Sequence, residues 1–158
     1  MTPPTHTYRA SCSWRGSTGV GYDAYDRTHL MSAAPAQAEL TMASDPAFGG
    51  DPSLLNPEQL LVLAASSCQL LSFLAVAARA RVDVVAYDDD ATAVMPEDDP
   101  PTRITAVTLR PTITIAGTHP VEKVERLVRL AHQECYIANT LRTDITVTPT
   151  ITFLPDGS

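Results

Sequence analysis

Two kinds of hydrophobic spacing alternate along the chain and divide it into elements. Over residues 6–15, "HTYRASCSWR", Tyr8, Ala10, Cys12 and Trp14 fall on one side and Thr7, Arg9, Ser11 and Ser13 on the other. A period of two predicts a strand. The glycines of "GSTGVG" predict a turn, and "YDAYDRTHLM" a second extended stretch. "AQAELTMA" alternates again, with Ala38, Leu40 and Met42 opposed to Gln37, Glu39 and Thr41. Together these predict a three-stranded antiparallel N-terminal sheet.

After the loop "SDPAFGGDPSLLNPE" the period changes. "NPEQLLVLAASSCQLLSFLAVAARA", residues 56–80, has no charge from Leu60 to Ala78. Its start is written in the sequence: Asn56 suits the N-cap, Pro57 the first helical position, and Gln59 can reach back as in a capping box. Glu58 puts a negative charge in the first turn, where the helix dipole favours it, and Arg79 and Arg81 suit the far end. Further on, "VDVVAYDDDATAVM" reads as a strand with an acidic stretch and "EDDPPT" as a turn. "RITAVTLRPTITIAG" alternates, with Val107, Leu109, Ile113 and Ile115 on one face; Pro111, lacking an amide donor, hints at an edge position or a bulge. "VEKVERLVRLAHQECYIANTL" is amphipathic, its stripe running through Val121, Val124, Val128, Ala131 and Cys135. "DITVTPTITF" closes the chain with Ile145, Val147, Ile151 and Phe153 on one face. The order is three strands, a helix, two strands, a helix and a strand. That predicts an α+β fold in a single domain spanning 1–158.

Composition narrows the partners. The 158 residues carry a net charge of −7, and their 11 Lys and Arg are scattered. Nucleic acid or an anionic membrane would need a basic face, so neither is expected. "MTPPTHTYRA" lacks a basic region followed by an apolar one, so a cytoplasmic location is expected. The uncharged helix has the length of a membrane span. However, Ser66, Ser67, Cys68 and Gln69 interrupt it midway, and the surrounding elements are amphipathic. A helix apolar all round should be buried on every side. One small chain would struggle to wrap it, so a homodimer with this helix at or near the interface is expected.

The candidate chemistry lies in the cysteines. Cys68 sits within that helix, and Cys135 at the end of the apolar stripe of the second helix. No metal-type spacing links them, and none is found among His6, His29, His119 and His132, so neither metal nor cofactor is expected. A buried free cysteine is most often a small hydrophobe, and Cys12 is expected to pack in the core. His132, one turn before Cys135, reads more simply as a histidine with its own polar contacts than as a catalytic base. The acidic residues Asp88, Asp89 and Asp90, with Glu97, Asp98 and Asp99, read as solvated surface. Gly49 and Gly50 read as a connector or a flexing lid.

"NPEQLLVLAASSC" and "AHQECYIANTL" resemble the two signature helices of the OsmC/Ohr family of thiol peroxidases. In that family the first helix opens with an Asn/Ser-Pro-Glu-Glu-Leu-like box and carries one cysteine about three turns later. The second cysteine ends an Ala-rich part of the later helix. The resemblance runs from about Tyr8 to Phe153. "GYDAYDRTHL", "SDPAFGGD" and "AHQECYIANT" are most similar to the OsmC-like branch.

The resemblance implies an intertwined OsmC-like homodimer and a peroxidase reducing organic hydroperoxides; the burial of the helix and the spacing of Glu58 from Cys68 add the expectation of composite active sites. It implies that Cys68 is the peroxidatic thiol, Cys135 the resolving thiol and Glu58 the carboxylate of the site. Arg27 is the best match for the family's arginine, with Arg15 as the weaker candidate. The thiolate is the nucleophile, and a guanidinium beside it would favour that form. A sulfenic acid at Cys68 would condense with Cys135 to a disulfide, reopened by an external thiol or dithiol reductant. Leu60, Leu61, Leu71 and Phe73 would supply apolar walls. Glu58 and Cys68 stand ten positions apart, about 15 Å along a continuous helix, so if both serve one site, Glu58 would come from the partner subunit or the helix would be bent. Two other readings remain: a non-enzymatic dimer binding a small apolar ligand, and a redox-sensing regulator.

Overall fold

A computed structural model describes residues 3–155. The chain forms two compact units, the first ending at Leu60 and the second beginning at Leu61.

The first unit holds the predicted antiparallel sheet: β1 (Ser11–Ser13), β2 (His29–Ser32) and β3 (Glu39–Met42), in that spatial order. Ser11 faces Ser32 across the first pair, and His29 faces Met42 across the second. The strand expected over residues 6–15 shrinks to three residues, all exposed. Cys12 is therefore exposed, not core. Alternation alone could not reveal this, because it assigns a face to a residue of an edge strand such as β1 but not whether that face is covered.

The loop after β3 is tied back to its own stem. Ala43 donates its amide to the Leu55 carbonyl at 3.0 Å, and the Asp45 carboxylate accepts from the Ala47 amide at 2.8 Å. Gly49 (φ +79°) and Gly50 make the loop tight rather than lid-like. A Cβ on Gly50 would lie 1.6 Å from the Ser44 carbonyl oxygen, and one on Gly49 3.0 Å from the Arg27 guanidinium.

Helix α1 (Pro57–Arg79) begins as the sequence predicts. The Gln59 amide donates to Asn56 Oδ1 at 2.8 Å, and the Asn56 amide donates to Gln59 Oε1 at 3.0 Å. This reciprocal pair satisfies two of the donors that a helix start leaves free. The helix then runs unbroken to Arg79 and is closed by Arg81 in the left-handed region (φ 56°). It is buried along one stripe only, at Ala65, Gln69, Phe73, Val76 and Ala77. Its other side leaves Leu63, Leu71 and Leu74 exposed, with Leu71 at 63%. Burial on every side is thus not achieved within one chain.

In the second unit the predicted strands are each cut in two. They are β4 (Asp83–Asp89) and β5 (Thr92–Val94), β6 (Ala106–Leu109) and β7 (Pro111–Ala116), and β8 (Asp144–Val147) and β9 (Thr150–Leu154). One sheet has the order β4-β7-β9 and another β5-β6-β8. In both, the middle strand runs antiparallel to the first and parallel to the last.

The cuts fall at one level across all three strands. Pro111 and Pro149 stand at the cuts in neighbouring strands, where neither can donate an amide to a ladder. Pro111 does not mark an edge, as its chemistry suggested. It opens the central strand β7 and is itself buried. The inward face is as read: Val107, Leu109, Ile113 and Ile115 are all buried.

Helix α2 (Val121–Glu134) lays Val124, Leu127, Val128 and Ala131 against Phe73, Val76 and Ala77 of α1 and Ile113 and Ile115 of β7. This is the core of the unit. Burying each of its Val, Leu, Ile and Phe side chains contributes about 1.5–3 kcal/mol. Val121 is 40% exposed, because it lies in the first turn beyond the core. The helix ends sooner than the pattern implies. Cys135 has extended backbone (φ −72°, ψ 110°), and a short helix α3 (Tyr136–Thr140) follows. Cys135 therefore sits at a helix junction, not within a helix.

Candidate active site

Helix α1 carries Cys68 at the margin of its buried stripe. Neighbouring Gln69 is 1% exposed, Ser67 is exposed and Cys68 itself is half-buried. The α2–α3 junction carries Cys135, which is 1% exposed. Though far apart in sequence, the two thiols lie near enough for Cys68 to influence the ionisation of Cys135, and both are free.

Burial pushes the Cys135 thiol above its ordinary value, and the adjoining Cys68 adds to the rise. The amides of Ala138 and Ile137, in the first turn of α3, pull the other way. The arrangement is asymmetric. One thiol is reachable and the other is sealed behind it, held neutral by its surroundings.

Further groups surround the pair. Tyr87 on β4 packs its ring on Phe73 at a centroid distance of 5.9 Å. Burial raises its pKa, and Asp89 and Cys135 add to that rise. Gln69 Nε2 donates to the Val128 carbonyl at 3.4 Å, linking α1 to α2. Three buried side-chain atoms lack a partner among the described residues: Gln69 Oε1, the Tyr87 hydroxyl and His132 Nδ1. His132 is thus not the self-satisfied histidine expected.

Asp89 is also unlike the solvated carboxylate its run suggested. One oxygen accepts from the Ser66 hydroxyl at 2.5 Å and the other from the Arg110 amide at 2.7 Å. It ties the cysteine-bearing helix to the cut in the sheet. Sequence reading missed both Tyr87 and Asp89, since a strand period places a residue on a face but says nothing of what crosses to meet it.

Arg27 and Glu58 lie in the first unit. The Arg27 guanidinium donates to the Tyr25 carbonyl at 2.9 Å and the Tyr22 carbonyl at 2.7 Å. It also stacks 4.0 Å from the Tyr25 ring centroid and 4.9 Å from that of Tyr22. Cys12, Trp14, Thr18, Tyr25, Arg27 and His29 line an open cleft of about 370 Å³. Glu58 is half-buried in the first turn of α1. Among the described residues Arg27 and Glu58 form no ion pair with each other. Arg15 is exposed and, among the described residues, bonds only to the Trp14 carbonyl, at 2.9 Å. Of the expected apolar wall, Phe73 is in the core at 0% exposure and Leu71 faces outward. No group of three or more His, Cys, Asp or Glu is arranged to hold a metal among the described residues.

The architecture has close counterparts among solved structures. An OsmC-like protein of unknown function from Vibrio cholerae matches with a TM-score of 0.83 at 26% identity, over 92% of this chain and 100% of that one. An organic hydroperoxide resistance protein from Elizabethkingia anophelis matches at 0.69 and 19% identity, over 97% and 100%. One from Legionella pneumophila matches at 0.67 and 19% identity, over 95% and 99%. No curated protein matches. The pattern characteristic of OsmC-like proteins fits residues 50–150, which include both Cys68 and Cys135. By its fold and by that match, the chain belongs to the OsmC-like protein family.

Proposed function

We propose that this protein is a thiol-dependent peroxidase that reduces organic hydroperoxides to alcohols. The observation that carries the reading is the proximity of a half-buried Cys68 to a fully buried Cys135, close enough for the one to influence the ionisation of the other. A pair with that asymmetry suits sequential oxidation. The Cys68 thiolate attacks the O–O bond, forms a sulfenic acid and releases the alkoxide, which takes a proton to become the alcohol. The Cys135 thiolate then displaces hydroxide from the Cys68 sulfur, giving a disulfide and water. An external thiol or dithiol returns two electrons to restore both cysteines.

In this reading the working form is a homodimer. The exposed apolar side of α1 (Leu63, Leu71 and Leu74) supports an interface there. Glu58 and Cys68, about 15 Å apart along one unbroken helix, would serve different sites, so Glu58 would act across the dimer. Arg27 would supply the guanidinium that favours the thiolate and orients the peroxide. Release from its two tyrosine carbonyls would free donors for Glu58.

The test is a thiol count on reduced protein after addition of cumene hydroperoxide. Rapid loss of two of the three thiols per chain, abolished by Cys68→Ser, is the expected result. Oxidation no faster than that of free cysteine would overturn the reading and leave a ligand-binding module. Turnover compared between dithiol and monothiol reductants identifies the class of electron donor.

A further inference from the structure

The open cleft of the first unit has a chemistry of its own. Strand parity begins it: Cys12 pairs with Met31, and His29, two residues before Met31, shares that face of the sheet. Thr18, Tyr25 and Arg27, from the connection between β1 and β2, join Trp14 around it. The rings of Trp14 and Tyr25 stand perpendicular, with centroids 6.4 Å apart. The indole is fixed in place, since its N–H donates to the Asp26 carbonyl at 2.7 Å and a Cβ on Gly16 would lie 2.5 Å from the ring. Its one polar atom is thus spent, and the corner offers apolar ring surface to a flat guest.

Arg27 brings the charge. A guanidinium has five N–H donors, and the carbonyls of Tyr25 and Tyr22 take one each. Both acceptors are neutral, so the positive charge is not balanced by them. Among the described residues no carboxylate pairs with it, although the chain holds 18 acidic side chains against 11 Lys and Arg. The Tyr25 and Tyr22 rings and Gly49, where a Cβ would come within 3.0 Å, hold the guanidinium in one orientation. A cation held in this way loses little freedom on gripping an anion. A carboxylate, flat and with two acceptor oxygens, matches such a fork.

We propose that this cleft binds a small aromatic carboxylate, its charged end on the remaining donors of Arg27 and its ring in the corner between Trp14 and Tyr25. At about 370 Å³ the cleft suits a ligand of one ring rather than a peptide; small-molecule sites span roughly 300–1,000 Å³. Arg27 keeps its two carbonyl partners when the ligand binds, and no covalent step is involved. Neither Cys68 nor Cys135 takes part, so the inference stands apart from the peroxidase reading.

Trp14 is the only tryptophan, so its indole N–H signal in a proton–nitrogen NMR spectrum reports on the cleft directly. Titrating the full chain with benzoate should move that signal in a saturable way. Benzamide has the ring without the charge, and acetate the charge without the ring. Each should need at least about tenfold more for half-saturation. A signal unmoved by benzoate, or equal affinity for either comparison ligand, would overturn the proposal. Arg27→Lys keeps the charge but loses the fork, and should weaken benzoate about tenfold. Unchanged affinity in that variant would also overturn it. If Arg27→Lys loses its fold by circular dichroism, the three-ligand comparison on the natural chain still decides. Cys68→Ser should bind benzoate as the natural chain does. Loss of binding there would put the ligand at the cysteine pair and sink the idea.

Discussion

Ser66, two residues before Cys68 on α1, donates its hydroxyl to Asp89 at the end of β4. The second oxygen of Asp89 accepts the Arg110 amide, which no ladder claims because β7 begins at the next residue. One half-buried carboxylate thus fixes the helix and the cut in the sheet together. Asp89→Ala removes a charge-assisted acceptor from both donors and should cost about 2–3 kcal/mol. Ser66→Ala removes one bond and should cost about 1–2 kcal/mol. Urea unfolding monitored by circular dichroism measures both. The double variant should lose less than the sum of the two, because the groups form one network.

The capping box is a second local test. Asn56→Ala should cost about 1 kcal/mol, and Gln59→Ala somewhat less. Their combination should again be less than additive, since each side chain satisfies the other residue's amide. Asn56 has a further role: its Nδ2 donates to the Asp45 carboxylate at 3.3 Å. Asn56→Asp would keep the helix cap and set two carboxylates against each other. Equilibrium unfolding should therefore find Asn56→Asp less stable than Asn56→Ser.

The exposed side of α1 predicts association. Leu71→Glu puts a charge at a position that is 63% exposed in the single chain. It should leave the fold of one chain intact and shift the protein to monomer in analytical ultracentrifugation. If the sites are composite, peroxidase turnover should fall together with the dimer fraction. A wild-type protein that sediments as a monomer with full activity would refute both the dimer and the role of Glu58 across it.

Alkaline stability follows from two raised pKa values. In the folded chain burial raises Cys135 above its ordinary 9.0 and Tyr87 above its ordinary 10.0. The folded state therefore holds protons that the unfolded chain releases first. The resulting stability is fully present below about pH 9 and is lost as pH climbs beyond it, Cys135 first and Tyr87 next. Urea midpoints should be level through neutral pH and fall above pH 9. Cys135→Ala, although less stable overall, should flatten the first part of that fall.

In the proposed cycle the same ionisation would set the rate of resolution. At neutral pH a neutral Cys135 is a poor nucleophile, so Cys68 sulfenic acid should persist long enough to trap. Disulfide closure should quicken as pH rises from 7 toward 9. A stopped-flow trace flat across that interval would mean that some other step limits the cycle.

The sequence by itself determined the local structure and singled out the candidate reactive groups. Asn56, Pro57 and Gln59 start α1 because capping depends on neighbours only a few residues away. The alternation of Val107, Leu109, Ile113 and Ile115 fixed the inward face because side-chain parity is a property of the strand itself. The pattern around Cys68 and Cys135 was enough to place the family.

Only the tertiary structure decided what those groups meet. It cut each long strand where Pro111 and Pro149 meet the same break, gave Asp89 two partners, and buried the Tyr87 hydroxyl without a partner among the described residues. It also exposed Cys12, which alternation had placed inside, and opened one side of α1. The reason is physical. Capping and periodicity are short-range and repeat with the backbone, whereas burial, desolvation and cross-element hydrogen bonds depend on distances the backbone sets only after it has folded.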